Sequence, residues 1–108
     1  MNAPAGLTVR DVGSSGRHRL LLSGELDIAS APMLEATLAS VTAKGASEVV
    51  LDLTELTFMD STGLRAVLSL HELCSQEGYA FSLTGANGSV QRLFELTGVV
   101  GSLRPEPR

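Results

Sequence analysis

Glu48-Val49-Val50-Leu51-Asp52-Leu53-Thr54-Glu55-Leu56-Thr57-Phe58-Met59-Asp60-Ser61-Thr62-Gly63-Leu64 is the stretch that decides the fold. Its first part, Glu48 to Leu53, is a β-branched apolar run too short for a helix, and it reads as a buried strand. From about Ser61 to Glu77 apolar residues recur at helical spacing, and Gly78 stands where glycine ends helices. Asp60 and Ser61 lie at the junction, and both are residue types that cap a helix start.

The same alternation continues on either side. Leu7 to Val12 and His18 to Leu22 flank Gly13-Ser14-Ser15-Gly16 and predict a β-hairpin. Ser30-Ala31-Pro32 predicts a cap with proline in the first helical turn, and Leu34, Leu38 and Val41 carry that helix to about Ala43, before Lys44-Gly45. Downstream, Ala80 to Thr84 predicts a strand and Gly85-Ala86-Asn87-Gly88 a loop. A short last helix follows, marked by Val90, Leu93, Phe94 and Leu96, capped by Asn87 and closed by Gly98. Strands alternating with helices after a hairpin give an α/β fold: a mostly parallel sheet with helices packed mainly on one face. The chain reads as a single domain over residues 1–108, with frayed ends at 1–6 and 101–108.

Composition narrows the function. At 108 residues and 44% hydrophobic with no Trp, the chain must build its core from Leu and Val. No apolar run approaches the roughly 20 residues of a membrane span, so no membrane insertion is expected. The N-terminal residues carry no signal-peptide pattern, which predicts a cytoplasmic protein. The single Cys74 forms no internal disulfide, and with His18 and His71 it falls short of a four-ligand zinc site. Neither metal nor cofactor is expected. A net charge of −4 without a Lys/Arg cluster argues against nucleic acid and points to a protein partner.

On the helix from Ser61, a rotation of about 100° per residue aligns Ser61, Arg65, Ser69, Glu72 and Gln76 as a polar stripe facing solvent. Gly63, Ala66, Val67, Leu70, Leu73 and Cys74 fall on the sheet side, and Leu68 lies beside the stripe. Leu64 and Leu68, with Phe58 and Met59, are candidates for an apolar rim around the exposed hydroxyl, although Phe58 and Leu64 read better as core. As a hydrolase nucleophile Ser61 lacks a base: His71 lies ten residues along the helix, about 15 Å away at 1.5 Å per residue, and no Gly-x-Ser-x-Gly elbow is present. Only His18, on the early hairpin, is left to approach. Gly85 to Gly88 lacks the partners of a phosphate-binding loop.

As a whole the sequence resembles the STAS domain family, and within it the bacterial anti-sigma factor antagonists. The resemblance rests on Gly24-Glu25-Leu26-Asp27, on Leu51 to Leu64, and on Val90-Gln91-Arg92-Leu93-Phe94-Glu95-Leu96-Thr97-Gly98. It implies a non-enzymatic protein that binds an anti-sigma serine/threonine kinase, frees a sigma factor, and is switched off by phosphorylation of Ser61 until a phosphatase restores it. It further implies that Asp27 and Asp60 lie on the kinase-facing surface. The partner-binding set is then Asp27, Met59, Asp60, Thr62, Gly63, Leu64 and Leu68, and Thr62 adds a second hydroxyl beside Ser61. The rival within the family is an unphosphorylated scaffold subunit of a transport or stress-signalling complex.

Overall fold

The computed structural model describes residues 6–13 and 16–97, with side chains up to Glu95. Leu7–Asp11 (β1) pairs antiparallel with Arg17–Leu26 (β2), which pairs in parallel with Glu48–Met59 (β3), and β3 in turn with Ala80–Thr84 (β4). The sheet order is β1-β2-β3-β4. Ala31–Ala43 (α1) links β2 to β3, Ser61–Glu77 (α2) links β3 to β4, and Gly88–Thr97 (α3) follows β4. Both crossovers step the same way across the sheet, so their right-handed preference sets α1 and α2 on one face, where they touch each other. α3 packs against β3. The α/β architecture expected from the sequence is present.

The core is aliphatic. Leu20, Leu22, Leu34, Val49, Leu51 and Val67 are fully buried within one cluster, and each such side chain contributes roughly 1.5–3 kcal/mol of transfer free energy. Two corrections concern the helix faces. Leu73, expected on the sheet side, is 47% exposed, because it lines a groove of 510 Å³ between α1 and α2 rather than the layer beneath. Phe58, expected in the core, is 44% exposed: it pairs with Glu25, on the alternate side from the buried Leu26 and Met59.

β3 runs six residues beyond the expected end at Leu53. The apolar pattern concealed this, because Leu53, Leu56 and Met59 are buried at a spacing of three, not the two of a regular strand. Its pairing with β2 slips twice. Leu21 and Ser23 face Asp52 and Glu55, and Gly24 and Glu25 face Leu56 and Phe58, so each step leaves one extra residue on β3. Gly24 makes the second slip possible. Its φ is +102°, and a Cβ there would lie 2.0 Å from the carbonyl oxygen of Gly6. The bulges bring Leu26 and Met59 side by side, at the edge where α1 and α2 begin.

The described ends of α1 and α2 obey their glycines: Gly45 and Gly78 both take positive φ, and Tyr79 N–H closes α2 on the Cys74 carbonyl at 2.8 Å. The expected turn at Ser14 and Ser15, the closure by Gly98 and, Gly6 apart, the expected frayed ends at 1–6 and 101–108 lie outside the described residues.

Candidate functional site

Asp60 leaves β3 with extended backbone (φ −102°, ψ −174°), and its carboxylate accepts the Gly63 N–H at 2.9 Å. This is helix capping as the residue types predict. The Asp60 N–H donates to the Leu26 carbonyl at 3.3 Å, and Gly63 presses on the same group: a Cβ there would lie 2.4 Å from the Leu26 oxygen. The start of α2 is therefore fixed to the end of β2 at two points. Ser61 is exposed, Thr62 is half-buried, and their backbone N–H groups meet no acceptor among the described residues. Open N–H groups and the helix dipole make this position favourable for negative charge.

Asp27 follows Leu26 directly. Its carboxylate accepts the N–H of Ala29 at 3.0 Å and of Ser30 at 3.1 Å, and its carbonyl accepts the Ala31 N–H at 2.8 Å. Ser30 does not cap α1 with its side chain as expected. It is fully buried, its hydroxyl donating to the Glu25 carbonyl at 2.9 Å and accepting the Asp27 N–H at 2.9 Å, so Asp27 takes over the orphan donors.

The loop of Asp27 and the start of α2 thus share one edge of the molecule, joined through Leu26. Ser61, the expected phosphorylation site, is exposed, and of the residues expected to meet a partner Asp27, Asp60, Thr62 and Leu68 are half-buried. Met59 (5% exposed), Leu64 (6%) and Gly63 are buried in this conformation. They shape the surface from beneath: Gly63 allows α2 to approach β2, and Met59 and Leu64 fill the cluster under the helix start. Two apolar side chains were missed. Ile28 is 74% exposed beside Asp27, and Met33 is exposed in the first turn of α1. An isoleucine inside a tight polar turn was the available signal for the first.

Elsewhere the polar stripe is as expected, with Ser61, Arg65, Ser69, Glu72 and Gln76 all exposed. His18 is removed as a base for Ser61. It pairs with Asp11 at 2.9 Å and faces Val49 at the start of β3, whereas Ser61 follows the end of that strand, about 30 Å away at 3.3 Å per residue. His71 is half-buried, its ring edge-on to Phe81 at 5.8 Å. Cys74 is buried within the core cluster, and burial pushes its thiol pKa up, away from the reactive thiolate. Among the described residues no group of three His, Cys, Asp or Glu could hold a metal ion.

The glycine loop before α3 is filled by protein. Gly85 has φ +81°, and a Cβ there would collide with the Thr54 hydroxyl. Asn87 stands at the start of α3, its carbonyl accepting the N–H of Val90 and Gln91, but its side chain donates to the carbonyls of Thr54 (3.3 Å) and Gly85 (3.2 Å) instead of capping. Beneath it, burial works against ionisation of Asp52. Hydrogen bonds from Thr54 and the Arg19 guanidinium at 3.2 Å more than offset that, holding its pKa below the usual carboxylate value.

The family model for the STAS domain matches residues 14–107, spanning every described element after β1. The chain belongs to the STAS domain family. This STAS domain is 29% identical over 82 residues to the anti-sigma-B factor antagonist of Staphylococcus aureus (strain NCTC 8325 / PS 47), covering 76% of each chain. Its structure superposes on that of an anti-sigma factor antagonist from Mycobacterium paratuberculosis with a TM-score of 0.83 and 27% identity, over 100% of this chain and 92% of that one. The fold is also that of the anti-sigma factor antagonist SpoIIAA in its unphosphorylated form (TM-score 0.76, 19% identity, 94% and 90% covered). Its similarities therefore run to the anti-sigma factor antagonists, which are regulatory proteins.

Proposed function

We propose that this STAS domain is a cytoplasmic, non-enzymatic anti-sigma factor antagonist that binds an anti-sigma serine/threonine kinase while Ser61 is unmodified. Phosphorylation of Ser61 releases it, and a phosphatase resets it. The observation that carries this reading is the exposed Ser61 hydroxyl at the first position of a rigidly capped helix, next to two open backbone N–H groups. A phosphate there is favoured by the dipole, which offsets repulsion from Asp60, so the fold tolerates the modification.

The contact surface is the edge formed by Asp27, Asp60, Ser61, Thr62 and the half-buried Leu68. Ile28 supplies the apolar contact that Met59 and Leu64, being buried, do not. Burying an unpaired dianion against a partner opposes binding by several kcal/mol. No described helix is long and apolar enough to cross a membrane.

The test is transfer of phosphate from ATP by an anti-sigma kinase of the same organism. Wild type and Thr62→Ala are expected to take up phosphate, and Ser61→Ala to take up none. Uptake by Ser61→Ala at the wild-type rate overturns the assignment and favours a scaffold that is not switched at this serine.

A further inference from the structure

Arg65 lies four residues after Ser61 on the same exposed stripe of α2, and among the described residues it makes no ion pair or hydrogen bond. We infer that Arg65 is the residue that holds a phosphate on Ser61, pairing with it across one turn of α2. Residues four apart on a helix have Cβ atoms about 5–6 Å apart, and long helical side chains lean toward the N-terminus, so Arg65 reaches back toward Ser61. The order also matters. An anion followed at i+4 by a cation is the favourable orientation, with the anion at the positive end of the helix. A guanidinium offers planar paired donors that match phosphate oxygens.

The charged groups around this position sharpen the role. Asp60 lies at the cap, Asp27 in the adjoining loop, and Glu35 on α1 lines the inter-helix groove with Ser69, one turn beyond Arg65. All are acidic. A phosphate on Ser61 thus meets repulsion from the cap and the loop, and Arg65 is the cation on its own stripe that draws it along α2 and away from them. Free phosphoserine loses its second proton near pH 6, so at neutral pH part of the population carries one charge fewer. Pairing with Arg65 lowers that pKa and raises the dianionic share of the modified state at neutral pH.

This inference deepens the reading of Ser61 as the modified residue and is tested without any kinase. Phosphoserine is installed at position 61 of the full chain by semisynthesis, and its second pKa is read by phosphorus NMR titration. The pKa is expected to be about 0.15–0.4 lower in the wild-type background than with Arg65→Gln, with Arg65→Lys in between. About 1 M NaCl, where the screening length is about 3 Å, should close the gap. Unmodified Arg65→Gln should melt with its unmodified parent, since Arg65 has no partner to lose. Equal pKa values in the wild-type and Arg65→Gln backgrounds overturn the pairing even if the kinase assay succeeds, and a failed kinase assay leaves the titration result standing.

Discussion

At the start of α1 the Asp27 carboxylate takes two backbone N–H groups, and the serine three residues on is fully buried with its hydroxyl engaged on both sides. At the start of α2 the Asp60 carboxylate takes one N–H, and the serine immediately after it is exposed. Both helices begin at the same edge of the sheet, from the paired ends Leu26 and Met59, with an aspartate and a serine. The difference is the length of the connection. Three residues separate Asp27 from α1, enough for a turn that folds Ser30 inward, whereas β3 passes into α2 through Asp60 alone, which leaves Ser61 at the first helical position pointing out. Serine is structural where a turn surrounds it and available for chemistry where the helix starts at once.

Under the proposed function, the largest consequence of that difference falls on binding of the kinase. Ser61→Asp is expected to stay folded and to weaken kinase binding by roughly thirty- to a thousandfold, the equivalent of about 2–4 kcal/mol at 1.4 kcal/mol per decade. Calorimetry against the kinase checks it, and unchanged affinity would remove the charge-based switch. Ser30→Asp should fail in the opposite way, losing the fold, because a carboxylate would be buried where the hydroxyl now donates to Glu25.

Next come the residues that hold each start in place. Gly63→Ala puts a methyl against the Leu26 carbonyl and should lower stability by about 1–3 kcal/mol in urea unfolding. Ser30→Ala removes the buried partner of Asp27 N–H and should lose about 1–3 kcal/mol, whereas Ser61→Ala should fall within about 0.5 kcal/mol of wild type. Equal losses for the two serines would abolish the contrast. Asp60→Ala, which removes a single cap bond, should lose about 1 kcal/mol.

These effects divide along the line between what local sequence reveals and what it conceals. Asp60 as a cap and Ser61 as an outward residue are set by neighbours one to four positions away, so helical geometry alone predicts them. Ser30 is decided by the carbonyl of Glu25 and by how the turn closes, and its residue type suits a cap equally well. The joining of Asp27 to Asp60 depends on the register of β2 against β3, which two bulges reset. No local pattern records a register, and the family resemblance alone implied that the two aspartates share a surface. The same bulges hid the second half of β3 and turned Phe58 outward. Leu73 departs from its expected burial because helical periodicity gives a direction but not how closely α1 covers it.

The smallest effect tests whether the two helix-start aspartates or the sheet itself govern acid unfolding. Asp52 sits in the middle of β3, away from both starts, and its folded pKa lies below the ordinary 3.8: burial raises it, but Thr54 and Arg19 lower it further. A carboxyl with a depressed folded pKa adds stability that is fully present above the unfolded value and is lost as pH falls through the folded one. Stability should therefore decline below about pH 4, and Asp52→Asn should make that decline shallower while leaving Asp27 and Asp60 in place. Urea unfolding at a series of pH values between about 5 and 2 measures the slope. An unchanged slope in Asp52→Asn, with a flattened one in Asp60→Asn, would shift acid sensitivity from the sheet to the helix start, and the two starts would then differ in charge chemistry as well as in the exposure of their serines.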